Sequence, residues 1–478
     1  MANILKFAAL MGLRGKKLEN ITIEKIAAEG KCIAKQADLV VFVDKVAPGD
    51  VVDIRITRKK KNYLEGTPIA FHHYADIRTE PFCQHFGTCG GCKWQHLPYK
   101  KQLEYKHQQV IDHFTRIGKL DFPSVNPILA SPDTRFYRNK LEFTFTNRRW
   151  LTNEEIKREE DINRDGLGFH VPGRFDRVLD VTTCYLQPDP SNQIREAVKN
   201  FALQNNYSFY DILEQQGFLR NLIVRNNMAG EVMVILQVAE NNQEQIFSLL
   251  EMLKQSFPAI VSLYYVINQK KNETFFDQEL ILYHGQSHLI EEMDGVKFRI
   301  GPKSFFQTNS RQALNLYRVA AEYAGLDGSQ VVYDLYTGTG TIANFVAGKA
   351  KKVVGVETIP EAIEDAKENA RINNIDNASF YAGTTEELFA QELINQHGKP
   401  NVVITDPPRA GMHAKAIEQL HSTRPEVIVY VSCNPATQAR DLSLLADLYT
   451  IEAIQPVDMF PHTHHVENVV KLKLNTED

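Results

Sequence analysis

The feature that most constrains the fold is a regular alternation of apolar runs and helical patterns from residue 301 onward. The apolar runs lie at 331–335, 352–357, 379–382, 402–406, 427–431, 451–456 and 466–474. Short runs of β-forming residues separated by helices predict parallel strands that are covered on both faces. The last two runs predict an antiparallel end. This part of the chain is therefore expected to be an α/β domain with a doubly wound, Rossmann-like sheet.

A glycine-rich turn, Asp-Leu-Tyr-Thr-Gly-Thr-Gly-Thr at 334–341, follows the first of these strands, and Glu357 ends the second. This pairing predicts a cofactor with a nucleoside, because the turn allows close approach and the carboxylate can accept from ribose hydroxyls. The turn alone leaves NAD and S-adenosylmethionine open, since Gly338, Gly340 and Ala343 also satisfy the dinucleotide pattern. The sequence Asp-Pro-Pro at 406–408 favours S-adenosylmethionine, because methyltransferases hold their substrate base after the corresponding strand.

The next strand ends in a cysteine, Cys433, within Ser-Cys-Asn-Pro at 432–435. A cysteine there also suits core packing, but Asp406 ends the preceding strand, and Arg409 stands where amino-group methyltransferases have an aromatic residue. C5 of a pyrimidine needs activation by a thiolate at C6, and a base must later remove the C5 proton. Glu467 is the candidate base. We expect Cys433 to be reachable by solvent and held as a thiolate near Asp406.

The N-terminal part of the chain shows short alternating runs at 21–26, 39–43, 51–56 and 64–71, separated by turn residues. This spacing predicts a small β-barrel. A basic tetrad, Arg-Lys-Lys-Lys at 58–61, lies between the last two runs. It is either a solvated hairpin tip or a contact for nucleic acid.

A cysteine cluster follows the barrel. Cys83, Cys89 and Cys92 lie close together, with two glycines before the third, in a chain that has six cysteines. This pattern points to a metal centre more than to disulfides, and the spacing does not match a radical S-adenosylmethionine enzyme. Cys184 is the expected fourth ligand, and a zinc site completed by His85 or His96 remains open.

The central part of the chain, from 126 to 292, has a β-rich pattern with a helix at 192–203 and a hairpin joining 219–225 to 231–238. Basic and aromatic residues interleave near its start: Arg135, Arg138, Lys140, Arg148 and Arg149 with Phe136, Tyr137, Phe143, Phe145 and Trp150. Such interleaving is typical of RNA contacts, in which arginines meet phosphates and rings stack on bases. An ordinary amphipathic strand gives the same pattern, so both interpretations stay open.

Several motifs together resemble the RNA uracil-5 methyltransferase family. They are Ser-Cys-Asn-Pro at 432–435, Asp-Pro-Pro-Arg at 406–409, Phe-Phe-Gln-Thr-Asn at 305–309 and His-Val-Glu at 465–467. The cysteine cluster and the start of the chain, which resembles a TRAM domain, narrow the resemblance to 23S ribosomal RNA enzymes that carry a 4Fe-4S cluster. The chain departs from many relatives at Thr337, where cysteine is usual, and at Thr341, where asparagine is common.

The resemblance implies a role for each matching position. Cys433 would be the nucleophile, Glu467 the base, and Asp406 a carboxylate near the uracil and the cofactor. Positions that would contact S-adenosylmethionine are Gln307, Tyr336, Thr341, Glu357, Thr384 and Asp406. Phe305 would stack on the flipped base, with Arg138 as a second substrate contact. Cys83, Cys89, Cys92 and Cys184 would hold the iron-sulfur cluster.

We therefore expect a TRAM-like, OB-like barrel at 17–75, a β-rich central domain with the cluster at 76–300, and a methyltransferase domain at 301–478. The net charge of −5 excludes general coating of nucleic acid, so RNA would be bound through local patches. No apolar stretch predicts a membrane span, and residues 4–13 do not resemble a secretory signal, which favours the cytoplasm. We expect the protein to be a monomer. Alternatives are a tRNA uridine-5 enzyme, a cytosine-5 enzyme and an RNA-binding module for ribosome assembly.

Overall fold

The computed structural model describes residues 14–36, 39–158, 162–385 and 391–475. The chain divides into two compact units: Met1–Asp112 with Phe460–His465, and His113–Met459 with Val466–Asp478. Among the described helices, none has the length and the apolar character that a membrane span requires.

The first unit contains a closed β-barrel. Its strands are β1 Lys17–Ile26, β2 Cys32–Gln36, β3 Leu39–Val43, β4 Val51–Lys59 and β5 Tyr63–His73, in the order β1-β2-β3-β5-β4. Alternate side chains point inward, and Ile23, Val41 and Ile54 belong to its aliphatic core. The predicted N-terminal barrel is confirmed, although the prediction missed β2.

The basic tetrad lies at the connection between β4 and β5. Arg58 and Lys59 end β4, and Lys60 and Lys61 form the turn that follows. Arg58, Lys60 and Lys61 are exposed, and Arg58 comes within 4.0 Å of the Glu65 carboxylate. Both interpretations of the tetrad therefore remain compatible with its position.

Helix α1 (Tyr99–His113) belongs largely to the first unit, where it contacts the segment Phe460–His465. The Gln102 carboxamide oxygen accepts from the backbone N–H of His462 at 2.8 Å, and Lys106 Nζ donates to the carbonyl of Phe460 at 3.1 Å. Both α1 side chains are fully buried. They therefore fix the course of a segment that is distant in sequence.

The second unit contains a mixed sheet in its N-terminal half. The strands are β6 Lys140–Thr146, β7 Gly166–Val171, β8 Arg174–Asp180, β9 Leu219–Asn226, β10 Val232–Val238, β11 Ile260–Ile267 and β12 Ile281–Gly285, in the order β12-β11-β10-β9-β6-β7-β8. The helices are α2 Asn153–Lys157, α3 Ser191–Gln204 and α4 Gln243–Ser256. Strands β9 and β10 pair antiparallel, with Ile223 opposite Ile235, which confirms the predicted hairpin.

A hairpin of β13 (Leu289–Met293) and β14 (Val296–Ile300) leads into the second sheet of this unit. Its strands are β15 Val331–Leu335, β16 Lys352–Glu357, β17 Ala378–Ala382, β18 Val402–Thr405, β19 Val427–Ser432, β20 Tyr449–Val457 and β21 Glu467–Leu474. The helices are α5 Ser310–Ala324, α6 Thr341–Ala347, α7 Pro360–Ile372, α8 Gln391–His397, α9 Ala414–Thr423 and α10 Pro435–Ser443.

This second sheet has the order β17-β16-β15-β18-β19-β21-β20. Strands β15 to β19 are parallel to one another, and β21 pairs antiparallel with both β19 and β20, which gives the predicted antiparallel end. The strand order reverses beside β15, whose neighbours are β16 on one side and β18 on the other. In open α/β sheets a ligand binds at the carboxyl edge where the order reverses.

Candidate active site

The carboxyl edge of the second sheet brings the candidate catalytic side chains together. Strands β18 and β19 are parallel neighbours, so Asp406 and Cys433 follow their ends at the same edge. Strand β21 runs the opposite way, with Asn468 paired to Ser432, so its first residue, Glu467, begins at that edge. Asp406, Cys433 and Glu467, which are distant in sequence, therefore lie at the same edge of the sheet.

Cys433 lies in a two-residue link between a strand and a helix. Strand β19 ends at Ser432, and Asn434 caps α10, its side chain accepting from the backbone N–H of Ala436 at 3.2 Å. Pro435 follows at the first helical position, where a missing N–H costs nothing. The strand end and the helix start therefore leave Cys433 half-buried at the edge of the sheet.

The thiol of Cys433 holds its proton at neutral pH in this structure. Burial raises its pKa to about 11, the charges of Glu467 and Asp406 act in the same direction, and Arg409, which hydrogen-bonds the thiol, opposes them. The structure therefore does not favour the predicted thiolate, because burial and two acids outweigh one guanidinium.

The carboxyl groups at this edge also hold their protons more strongly than usual. Burial raises the pKa of Glu467 to about 8, with a further contribution from the charge of Asp406, against Arg409. Burial raises the pKa of Asp406 to about 7, and Asp334 contributes to that rise. Such pKa values let a carboxyl group exchange a proton near neutral pH.

Arg409 is a functional candidate to which the sequence analysis gave no role. Its carbonyl accepts from the Asn434 carboxamide at 3.0 Å and from the Thr437 hydroxyl at 3.2 Å. The loop after β18 is thus tied to the start of α10. The replacement of an aromatic residue by arginine after Pro-Pro was the available signal.

Tyr317 was missed as well, and no sequence signal pointed to it. It is buried on α5, and its hydroxyl hydrogen-bonds Thr341. Burial raises the pKa of Tyr317, and the charges of Asp406 and Asp334 add to the effect. The phenol therefore stays neutral among the buried acids.

The glycine-rich turn has the shape of a cofactor cradle. Tyr336, Gly338 and Gly340 have positive φ angles of 65°, 56° and 73°. A Cβ at Gly340 would lie 2.8 Å from the Asn344 carboxamide nitrogen, so a side chain would not fit. The backbone N–H of Gly338 donates to Glu357 Oε2 at 3.1 Å, which holds the carboxylate beside the turn.

The base of this turn is fixed by a buried carboxyl group. Asp334 accepts from the Thr337 hydroxyl at 2.5 Å and from the backbone N–H of Ala343 at 3.1 Å. Burial raises its pKa to about 7 despite these two hydrogen bonds. Thr384 follows β17 at the same edge of the sheet and is half-buried. The turn, Glu357 and Asp406 fit a cofactor that carries a nucleoside.

Phe305 is 72% exposed, on a loop whose backbone is anchored from two sides. The buried guanidinium of Arg225 donates to the carbonyls of Gly301 and Ser304, both at 3.0 Å. The hydroxyl of Ser304 donates to Asp365 at 2.5 Å. An exposed ring on a fixed backbone is a suitable platform for a base.

Gln307 follows Phe305 on this loop, and Arg138 approaches the loop from the segment before β6. The carbonyl of Gln307 accepts from the Asn139 carboxamide at 2.9 Å, and Arg138 approaches the Thr308 hydroxyl at 3.5 Å. The structure therefore brings Arg138 to the loop that carries Phe305.

Four of the other interleaved residues lie in the core or form ion pairs. Phe143 and Phe145 are buried, so the amphipathic-strand interpretation is correct for them. Arg148 pairs with Asp211 at 2.7 Å, and Arg149 pairs with Glu155 at 2.8 Å. These two arginines are already paired with carboxylates within the chain. The remaining basic residues include Arg135 and Lys140, and the aromatic residues include Phe136, Tyr137 and Trp150.

Cys83, Cys89 and Cys92 are half-buried in the first unit, and none of the three forms a disulfide. Cys89 Sγ accepts from the backbone N–H of Gly91 at 3.4 Å, and burial raises the pKa of Cys83 against hydrogen bonds from the N–H groups of His85 and Phe86. Among the residues that the structure describes, no group of three or more His, Cys, Asp or Glu is arranged to hold a metal ion.

The remaining ligand candidates have contacts of their own. Cys184 is buried in the second unit, and its backbone N–H donates to the Asn192 carboxamide oxygen at 2.8 Å. His96 is buried with Nε2 3.3 Å from the carbonyl of Val46, and burial lowers its pKa to about 4.

The chain matches two protein-family models. Residues 224–475 match the tRNA (uracil-5-)-methyltransferase model, and residues 14–69 match the TRAM domain. A protein named uncharacterized RNA methyltransferase from Bacteroides thetaiotaomicron is 56% identical, over 94% of this chain and 100% of the relative. A protein of the same description from Porphyromonas gingivalis is 51% identical, over 95% of this chain and 100% of the relative.

The fold is similar to a solved structure, the Pyrococcus abyssi tRNA (uracil-54, C5)-methyltransferase in complex with S-adenosyl-L-homocysteine. The two share 30% sequence identity with a TM-score of 0.74, and the match covers 94% of this chain and 99% of the other. The predicted combination of a TRAM barrel with an α/β methyltransferase sheet is thereby confirmed.

Proposed function

Because the chain belongs to the tRNA (uracil-5-)-methyltransferase family, we propose that it methylates C5 of a specific uridine in RNA through covalent addition of Cys433. The observation that carries this proposal is the meeting of Cys433, Asp406 and Glu467 at the carboxyl edge of the second sheet. A thiol, a carboxylate and a base of raised pKa are the groups that this chemistry requires.

In the proposed reaction, Cys433 first releases its thiol proton to solvent, and the thiolate sulfur then forms a bond to C6 of uracil while the electrons of the C5–C6 double bond make an enolate. S-adenosylmethionine, when bound, supplies an electrophilic methyl group. Glu467 then takes the proton from methylated C5, the double bond re-forms, and the C6–S bond breaks to return the thiolate. The hydrogen bond from Arg409 favours the thiolate at the first and last of these steps.

We assign the remaining site residues to the cofactor and to the substrate. The cofactor positions are Gln307, Tyr336, Thr341, Glu357, Thr384 and Asp406. Phe305 would stack on the uracil once it has flipped out of the RNA, and Arg138 would contact the same nucleotide. The exposure of Phe305 and the contact of Arg138 with its loop support the second assignment.

We propose that the RNA substrate is 23S ribosomal RNA and that the barrel contributes to binding it. The functional division would be 17–75 for the barrel, 76–300 for the central domain and 301–478 for methyl transfer, in a cytoplasmic monomer. A tRNA substrate is the second candidate, because the Pyrococcus abyssi tRNA (uracil-54, C5)-methyltransferase is similar over 94% of this chain.

The test is to map 5-methyluridine in ribosomal and transfer RNA from cells with and without this protein. We expect one ribosomal position to lose its methyl group and to regain it with the wild-type chain, but not with Cys433→Ala. Loss at a tRNA position would select the second candidate. Full activity of Cys433→Ala would refute the covalent mechanism, and RNA binding without any 5-methyluridine would favour an RNA-binding module.

We propose in addition that Cys83, Cys89, Cys92 and Cys184 hold a 4Fe-4S cluster with a structural role. The hydrogen bonds from backbone N–H groups to the sulfurs of Cys83 and Cys89 support it, since cluster sulfurs accept such bonds. Protein purified without oxygen should be brown and contain iron, and Cys89→Ser should lose both properties. A colourless protein that contains zinc would refute the assignment.

A further inference from the structure

The loop at 268–278 lies between β11 and β12, in the first sheet of the second unit, and a buried side chain holds its backbone. The buried guanidinium of Arg220 donates to the carbonyls of Asn268 and Lys270 at 2.6 Å and to that of Asn272 at 2.8 Å. The same guanidinium lies 4.3 Å from the centre of the Tyr210 ring. The loop therefore presents its exposed side chains from a fixed backbone.

One side of this loop borders a cleft. His170 Nε2, on β7, lies 3.3 Å from Glu273, which joins the loop to the hairpin of β7 and β8. The cleft between them has a volume of about 640 Å³ and is lined by residues that include Arg174, Phe175 and Lys271. Phe175 is 67% exposed, so its ring is open to a ligand.

The other side of the loop reaches the segment that carries Phe305. Lys303 Nζ donates to the carbonyl of Gln278 at 2.7 Å. Phe276, two residues before Gln278, is 59% exposed, and its ring stacks on buried Phe275 with centroids 5.2 Å apart and planes at 13°. The loop therefore links the segment that carries Phe305, the ring proposed to stack on uracil, to a second exposed ring, Phe276, which packs against Phe275.

The charges along this surface favour an anionic partner. Two of its carboxylates are paired within the chain, Glu273 with His170 and Asp277 with Lys270. Arg174 and Lys271 are exposed, and Lys303 donates to a neutral carbonyl. Exposed rings separated by cations are typical of surfaces that bind single-stranded nucleic acid.

We propose that the surface running from Phe305 through Phe276 to Phe175 binds the single-stranded RNA that flanks the target uridine. Phe276 and Phe175 stack on bases, and Lys303, Lys271 and Arg174 contact phosphates. This inference rests on the proposed function, because it takes the nucleotide at Phe305 as the start of the path. It adds a binding site on the central sheet, outside the cofactor and uracil positions.

The test measures binding of a fluorescein-labelled 15-nucleotide oligouridylate by fluorescence anisotropy, which needs no knowledge of the natural target. Phe276→Ala and Phe175→Ala should each raise the Kd by on the order of 5- to 100-fold, as expected when a base loses its aromatic platform. Lys271→Glu should weaken binding and reduce its dependence on salt. The matched control is Phe247→Ala, since Phe247 is 40% exposed on α4.

An unchanged Kd in both phenylalanine variants and in their combination would overturn the proposal. An equal loss in the Phe247→Ala control would also overturn it, because the effect would then not be local. Cys433→Ala should bind the oligonucleotide as the wild type does. If methyl transfer to uridine fails while this pattern of Kd values holds, the proposed function is wrong and the RNA path stands.

Discussion

Cys433 should react slowly with iodoacetamide at neutral pH, because its thiol keeps its proton. With a pKa of about 11, roughly 0.03% of the thiol is ionised at pH 7.5, against about 9% for an ordinary cysteine of pKa about 8.5. The difference is about 300-fold. A more basic thiolate is more nucleophilic, with a Brønsted coefficient of about 0.4–0.5 in thiol exchange. The net rate should therefore be about 20-fold below that of an ordinary exposed cysteine.

The assay follows alkylation of the Cys433 peptide by mass spectrometry between pH 6 and 11, with Cys433→Ser as the control for assignment. The rate should rise about tenfold per pH unit up to the thiol pKa, as expected for a thiolate reaction. Glu467→Gln should speed the reaction at pH 9.5, where the wild-type carboxyl group, with a pKa of about 8, is charged and disfavours the thiolate, and Arg409→Met should slow it. Rapid alkylation at pH 7 with a midpoint below pH 8 would refute the reasoning.

Three further predictions follow from the buried charges. The free energy of unfolding should fall as pH rises from about 4.5 to about 8, because folded Glu467 keeps a proton that the unfolded chain has lost. Glu467→Gln should remove this loss of stability, and at about 1.4 kcal/mol per pKa unit the variant should be up to about 5 kcal/mol more stable than the wild type at pH 9. If denaturant titrations give the same stability difference between pH 5 and pH 9 for the variant as for the wild type, the reasoning is contradicted. The kcat/KM for methyl transfer should rise steeply from pH 6 to pH 8, since Cys433 and Glu467 must both lose a proton; a maximum below pH 7 would argue against these roles. Arg225→Met should cost about 3 kcal/mol of stability, because two hydrogen bonds to a charged group are lost while the cost of burying the charge is relieved. The same substitution should reduce 5-methyluridine formation at least tenfold. The control Arg371→Met, at an exposed ion pair, should change neither stability nor methylation.

The sequence was sufficient to predict the strands of the second sheet and the edge at which they meet. Runs such as 427–431 are buried on both faces, so their apolar composition is continuous and their ends are clear. The polar residue that follows each strand then falls at the carboxyl edge by the geometry of parallel pairing. Cys433 and Asp406 were found in this way, and Glu467 by the antiparallel end together with the family motif.

Side chains whose role depends on partners distant in sequence could not be predicted. Phe143 and Phe145 alternate with polar residues as a nucleic-acid platform would, and only the sheet shows that they point into the core. Arg225 lies in an apolar strand and resembles a solvent-facing charge, yet it is buried and anchors the loop that carries Phe305. The protonation of Cys433 was predicted wrongly because it depends on the balance between two acids and Arg409.

The measurement that tests the central claim most directly uses RNA in which 5-fluorouridine replaces uridine. After methyl transfer to such a base, C5 carries fluorine in place of the proton that Glu467 would remove, so the bond between Cys433 and C6 should persist. We predict a protein–RNA complex that survives denaturation, requires S-adenosylmethionine, and maps by mass spectrometry to the peptide containing Cys433. A complex formed equally well by Cys433→Ser, or none from a wild-type protein that makes 5-methyluridine, would contradict the covalent mechanism.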